Sequence, residues 1–230
     1  MSEASVYPVV TIDGPSGSGK GTISRAVAQA VGWHLLDSGA LYRLVALAGE
    51  RAGAGPEERR RHAELAAAMQ VHFGAGPDGT EQVQLAGEDV TADIRSETAG
   101  QGASRVAAWP EVRSALLSRQ RAFAQPPGLV ADGRDMGTVV FPQAQLKIFL
   151  TATPEERALR RHKQLKDKGS DVSLPALSRE IAERDSRDQT RQVAPLRPAP
   201  DACVIDSTGL NVGEVVGRVL QLGAARGLWP

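Results

Sequence analysis

The sequence predicts an α/β fold in three layers, a five-stranded parallel sheet held between helices. Three observations carry this. Five short apolar runs, at residues 9–12, 33–36, 129–131, 146–150 and 203–205, alternate with longer stretches of helical period. The runs are mostly apolar on both faces, as in strands covered from both sides. A glycine-rich turn ending in a lysine joins the first run to the first helix, the order strand–loop–helix that a phosphate-binding loop requires.

Composition narrows the class. A chain of 230 residues is long enough for one large domain with inserts. Lysine plus arginine and aspartate plus glutamate both number 27, and this balance argues against a nucleic-acid coat or an anionic membrane surface as partner. The single Cys203 excludes an internal disulfide and reads as a small buried hydrophobe. No run approaches the length of a membrane span, and no basic-then-apolar leader opens the chain. A soluble, cytoplasmic protein is expected.

Taken in order, residues 1–8 read as a frayed end. The first helix runs from the loop to about Val31, where Gly32 can stop it. The second strand ends in Asp37-Ser38-Gly39, a helix-start signal with Asp37 or Ser38 as cap. Pro56 is expected to open the next helix, with Glu57 and Glu58 in its first turn. Residues 71–73 and 83–85 alternate around a Gly-, Pro- and Asp-rich tip, and Asp89-Val90 adds an extended piece. Residues 69–95 thus form a small antiparallel β insert. Residues 96–124 read as helical, with breaks expected near Gly100–Gly102 and at Pro110. After the third strand comes Asp132-Gly133-Arg134-Asp135. Thr153 caps a helix dense in Arg and Lys, a further helix spans residues 174–188, prolines 195, 198 and 200 form a stiff connector, and residues 212–222 close the chain.

The loop reads Gly14-Pro15-Ser16-Gly17-Ser18-Gly19-Lys20-Gly21-Thr22. Glycines let the backbone aim its N–H groups inward, the following helix adds partial positive charge, and Lys20 can reach β- and γ-phosphates. Position 21 is Gly where the general pattern has Ser or Thr, so Thr22 is the nearest hydroxyl for Mg²⁺. In a parallel sheet, site loops lie beyond the carboxyl ends of the strands. Those ends carry Gly14–Lys20, Asp37-Ser38, Asp132–Asp135 and Thr151–Thr153.

Phosphoryl transfer needs positioning and positive charge, so arginines converging on the loop are the next candidates. They are Arg43 and Arg113; Arg134; and a run of Arg157, Arg160, Arg161, Arg179, Arg184, Arg187 and Arg191. Arg160 and Arg161 can equally be a solvated helix face, as can the alternating charges of residues 183–188. Asp13 either orients the loop or is structural. Asp132 either holds Mg²⁺ through water or bonds the loop or an arginine. The four scattered histidines offer no zinc spacing.

These residues together closely resemble the bacterial cytidylate kinases, which are nucleoside monophosphate kinases. The marks are the loop with its Gly21-Thr22 ending, Leu36-Asp37-Ser38-Gly39-Ala40-Leu41-Tyr42-Arg43, Asp93-Ile94-Arg95, Asp132-Gly133-Arg134-Asp135-Met136-Gly137-Thr138, and Glu183-Arg184-Asp185 followed by Arg187-Asp188. The likeness covers nearly the whole chain. It implies a single-domain P-loop kinase fold with a five-stranded core (residues 6–37, 125–154 and 189–230), a monophosphate-binding region with the β insert (38–124) and a helical lid near residues 155–170.

The resemblance also implies roles. ATP with Mg²⁺ would be held by Gly14 through Thr22, with Arg157 and Arg160 closing on its phosphates from the lid. CMP or dCMP would be held by Ser38, Tyr42, Ser104, Arg113, Arg134, Asp135, Arg184, Asp188 and Arg191, with Lys20, Arg134 and Arg191 stabilising the moving phosphoryl group. A monomer with small-molecule nucleotides as its partners is expected. Two rivals stay open: a kinase of another monophosphate such as UMP or AMP, and a nucleotide-binding switch, which would lack the second nucleotide pocket that the acceptor-side residues suggest.

Overall fold

The computed structural model describes residues 7–75, 81–167, 169 and 172–229, with residues 75 and 81 as backbone only. In chain order its elements are β1 Val9–Asp13, α1 Lys20–Val31, β2 His34–Asp37, α2 Ser38–Arg51, α3 Arg59–Ala68, β3 Val71–Ala75, β4 Glu81–Leu85 and β5 Glu88–Asp89. There follow α4 Thr91–Ile94, α5 Glu97–Val106, α6 Pro110–Arg121, β6 Leu129–Gly133, a π-helical turn Met136–Val140, β7 Leu146–Thr151, α7 Pro154–Asp167, α8 Leu174–Thr190, β8 Cys203–Asp206 and α9 Val212–Ala224. They fall into two compact units, one within residues 1–37 and 121–230, the other residues 38–120.

The first unit holds the five-stranded sheet, in the order β2-β6-β1-β7-β8. Every adjacent pair is parallel. All five residues of β1 and of β6 are buried, as strands covered on both faces must be. Val10, Ile12, Val130, Ile148 and Leu150 pack with Ile23 and Val27 of α1 and Val215 and Val219 of α9 into one core. Burying each such side chain contributes about 1.5–3 kcal/mol. The connection from β1 leads toward β2 and that from β7 toward β8. The crevice outside the carboxyl ends of β1 and β7 is therefore the switch point where such sheets bind ligands. The edge strand departs from expectation. Val204 is 59% exposed, and Cys203 is half-buried, not fully buried, beside Arg226.

Helix ends follow local chemistry. Gly32 ends α1 in the left-handed region, its N–H donating to Ala28 O. Thr153 Oγ1 accepts from Glu156 N at the start of α7. Asn211 and Glu214 form a reciprocal capping box on α9.

The second unit contains α2 to α5, most of α6, and the antiparallel sheet β3-β4-β5. The insert's tip at residues 76–80 lies outside the described residues, as do Lys168 and Ser170 of the expected lid segment. Two expectations fail here. The helix expected at Pro56 begins at Arg59, because residues 55–58 close a turn instead: Glu58 N donates to Gly55 O and its carboxylate accepts from Gly55 N. The break expected at Gly100–Gly102 does not occur. Helix α5 runs through both glycines, and the chain breaks after Val106, ahead of Pro110. A Cβ at Gly102 would lie 2.9 Å from the Ala46 methyl, so this glycine serves close packing of α5 on α2.

Candidate functional site

In the first unit, the chain leaves β1 into the loop with Gly14, Gly17 and Gly19 all at positive φ. A Cβ at Gly14 would stand 1.9 Å from Leu150 O of β7, so only glycine lets the loop begin so close to the neighbouring strand. Lys20, 6% exposed, turns back and donates from Nζ to Pro15 O at 2.8 Å. Burial, then the positive charge of Arg134, pulls its pKa below the ordinary lysine range. Ser18 Oγ is buried with no hydrogen-bond partner among the described residues. Thr22 is exposed on the first turn of α1.

The end of β6 supplies the next groups. Asp13 Oδ1 and Oδ2 accept from Met136 N and Gly137 N, each at 2.8 Å. The residue before the loop therefore pins the π-helical turn that follows Arg134-Asp135. Burial pushes the Asp13 pKa up to about 7, against the pull of those two N–H groups. Burial likewise raises Asp132, opposed by Lys20. Asp132 Oδ2 faces the loop's end, 3.4 Å from where a Cβ on Gly21 would stand.

Helix α8 brings the partners. Arg134 Nε donates to Asp188 Oδ2 at 2.9 Å. Burial alone would raise Asp188, but the Arg134 guanidinium together with Arg184 and Arg191 outweighs it and holds the carboxyl below the usual range. Arg191 and Asp135 approach to 3.6 Å with both side chains buried. Arg134, Asp132, Arg184 and Asp188 all act electrostatically on Lys20. The first unit thus gathers the loop lysine, two arginines and two carboxylates from three separate stretches of the chain, at residue 20, residues 132–134 and residues 184–188.

The two arginines of α7 lie against the loop. Arg157, 4% exposed, donates from Nη1 to Ser16 O at 3.0 Å and from Nε to Ala152 O at 3.1 Å, while its Nη2 pairs with Asp185 at 2.6 Å. Arg160 donates to Ser18 O, to Ser207 Oγ and Ser207 O, and to Glu156. Both arginines therefore meet the carbonyls of the loop.

In the second unit, Ser38 Oγ accepts from Gln120 Nε2 at 2.9 Å, both side chains buried. The Arg113 guanidinium lies 5.9 Å from the centre of the Tyr42 ring and donates to Ala107 O. Ser104 Oγ is buried with no partner among the described residues, which suits a hydroxyl meant for a ligand. Arg43 donates to Ile94 O and Ser96 O, ordering the junction of α4 and α5.

Three participants escaped the sequence reading: Gln120, Ser207 and, in any named role, Asp185. Asp185 had a readable signal. It falls at i+4 from Ile181 and i+8 from Leu177, the two buried apolar residues of α8, so a carboxylate sits where the helix turns inward. Gln120 and Ser207 had none, because a lone amide or hydroxyl in a polar stretch looks like surface.

The comparisons agree with this geometry. The family model described as cytidylate kinase matches residues 10–224. A cytidylate kinase of Stutzerimonas stutzeri (strain A1501) is 59% identical, covering 96% of this chain and 97% of its own. Its namesake in Azotobacter vinelandii (strain DJ / ATCC BAA-1303) is 57% identical, covering 97% and 99%. That of Klebsiella pneumoniae (strain 342) is 56% identical, covering 93% and 94%. With the loop, its buried lysine and the arginine–aspartate pairs in place, the chain belongs to the cytidylate kinase family.

Proposed function

We propose that the protein transfers the γ-phosphoryl group of ATP to CMP or dCMP, giving ADP and CDP or dCDP, in pyrimidine nucleotide metabolism in the cytoplasm. The observation that carries this reading is the buried lysine of the glycine loop, Lys20, set in one compact unit with Arg134 paired to Asp188 at 2.9 Å and Arg191 approaching Asp135 to 3.6 Å. A donor-loop lysine and acceptor-side arginines acting on one point are what in-line phosphoryl transfer needs.

An acceptor phosphate oxygen attacks the γ-phosphorus. The bond to the β–γ bridging oxygen breaks, and its electron pair leaves with ADP. The acceptor phosphate is already a nucleophile at neutral pH, so no general base is required. Lys20, Arg134 and Arg191 bear the charge spread over the transferred oxygens. Gly14, Pro15, Ser16, Gly17, Ser18, Gly19, Gly21 and Thr22 form the donor cradle, which Arg157 and Arg160 support from α7.

On the acceptor side, Ser38, Tyr42, Ser104, Arg113, Arg134, Asp135, Arg184, Asp188 and Arg191 hold the monophosphate. Cytosine offers an amino donor and two acceptors, and a serine with an Arg/Asp pair complements them. A wrong base leaves such groups unpaired and is rejected.

Thr22, exposed on the first turn of α1, and Asp132, whose Oδ2 faces Gly21, are hard oxygen donors that would hold Mg²⁺, which binds through one or two protein oxygens together with substrate phosphates. When bound, the ion neutralises charge on the transferred group. The working unit is a monomer, with a core of residues 6–37, 125–154 and 189–230, an acceptor region 38–124 and a lid near 155–170.

A coupled assay across CMP, UMP, AMP and GMP tests this. Fast turnover with CMP is expected, and a clear preference for AMP overturns it. CMP binding by calorimetry without ATP is also expected, and its absence favours a nucleotide switch.

A further inference from the structure

We propose that Arg157 and Asp185 are a positioning pair that holds the phosphate loop in its anion-binding shape from the loop's carbonyl side. When successive backbone N–H groups of a loop turn inward to make an anion nest, its carbonyls point outward. Arg157 is bonded to that outer side through Ser16 O, and to Ala152 O just after β7. Helix α7 packs directly on the loop here: a Cβ at Gly17 would lie 3.1 Å from Arg157 Cβ.

Three acceptors in different directions use the whole guanidinium fork, which a lysine cannot reproduce. The third acceptor, Asp185, fixes the fork's orientation. Asp185 sits on α8 between Arg184 and Asp188, so one ion pair ties the shape of the donor loop to the helix carrying the acceptor groups.

Asp185 Oδ1 is buried with no partner among the described residues. Arg157 and Asp185 border a cavity of about 380 Å³ that Pro15, Gln189 and Arg197 also line. The pair is buried beside that cavity, so thermal unfolding must separate a loss of fold from a loss of loop shape.

The inference rests on the nucleotide-kinase reading only in taking ATP as the loop's ligand. The test compares Asp185→Asn, Arg157→Lys and the double variant with the unaltered protein. ATP and CMP are each titrated alone by calorimetry, tripolyphosphate serves as a base-free probe of the loop, and thermal unfolding monitors the fold. ATP and tripolyphosphate affinity should fall about tenfold in either single variant. CMP affinity should stay within about twofold, and the double variant should be no weaker than the worse single one, as expected of groups acting as one unit. ATP affinity within twofold of the unaltered protein, an equal loss for CMP, or independent losses in the double variant would each overturn the proposal. If Asp185→Asn fails to fold, Arg157→Lys decides alone by the same criteria. A protein that binds tripolyphosphate but phosphorylates no CMP would refute the proposed function, while the variants' tripolyphosphate titrations still judge the pair.

Discussion

The phosphate loop and the tip of the β insert look alike as sequence: both are short, glycine-containing stretches that follow an extended run. The loop is over-determined. Gly14 is forced by Leu150 O, Lys20 folds back on Pro15, and two arginines and Ser207 grip the loop's carbonyls. The insert's strands are joined by their ladders and by local bonds such as Thr91 to Asp89 and Val83, and its links to α2 include an exposed pair, Arg51 with Glu88. Buried charge is costly unless paired, so its presence marks where geometry must be held; exposed charge is inexpensive and holds little.

Substitutions can break this contrast or sharpen it. The largest effect should come from Lys20→Ala, with turnover down by about 10²–10³ or more and the fold kept; near-normal turnover in a steady-state assay would remove Lys20 from the chemistry. Next comes Asp188→Asn, which strips the half-buried Arg134 of its hydrogen-bonded counter-ion. Stability should drop by about 3–5 kcal/mol in denaturant unfolding, with CMP affinity falling as well. Gln120→Ala strips the donor from the buried Ser38 hydroxyl and should cost about 1–3 kcal/mol. An unchanged midpoint would mean that Ser38 is held by other means.

Lys20 also gives a pH signature. Its folded pKa is lowered below 10.5, so between the two values the nucleotide-free protein holds fewer protons than the unfolded chain, and stability from this group rises with pH across that window. A bound triphosphate favours the charged form. ATP binding at pH of about 8.5 should therefore take up part of a proton, read as a binding enthalpy that varies with buffer ionisation. Buffer-independent heats, or an unchanged dependence in Lys20→Met, would contradict this. The smallest effect should be Arg51→Ala in the insert's exposed pair, within about 1 kcal/mol by thermal unfolding; a larger loss would show that the insert is anchored more firmly than its exposure suggests.

Much of this was legible in the chain. The apolar runs at residues 9–12 and 129–131 are buried strands because hydrophobic burial is written in residue type and period. The loop was legible because its backbone needs glycines at fixed places. The helix stop at Gly32 and the cap at Thr153 are local chemistry, complete within a few residues. Gly100 and Gly102 misled because glycine serves both breaks and close packing, and only the approach of Ala46 on α2 separates them. The start of α3 was misread because a carboxylate turning back on Gly55 outcompetes the preference of Pro56.

Gly14 through Thr22 mark a tight glycine loop in the local sequence, since the positive φ at Gly14, Gly17 and Gly19 is a conformation that glycine adopts freely. Which side of that turn Arg157 and Arg160 would meet was decided by tertiary structure. A long guanidinium side chain reaches either face, and only the packing of α7 on the loop and the carboxylate of Asp185, contributed by another helix, select the carbonyl side. The same holds for Asp13. Its neighbours in the chain say nothing of Met136 and Gly137, which parallel pairing of β1 with β6 brings to its two oxygens.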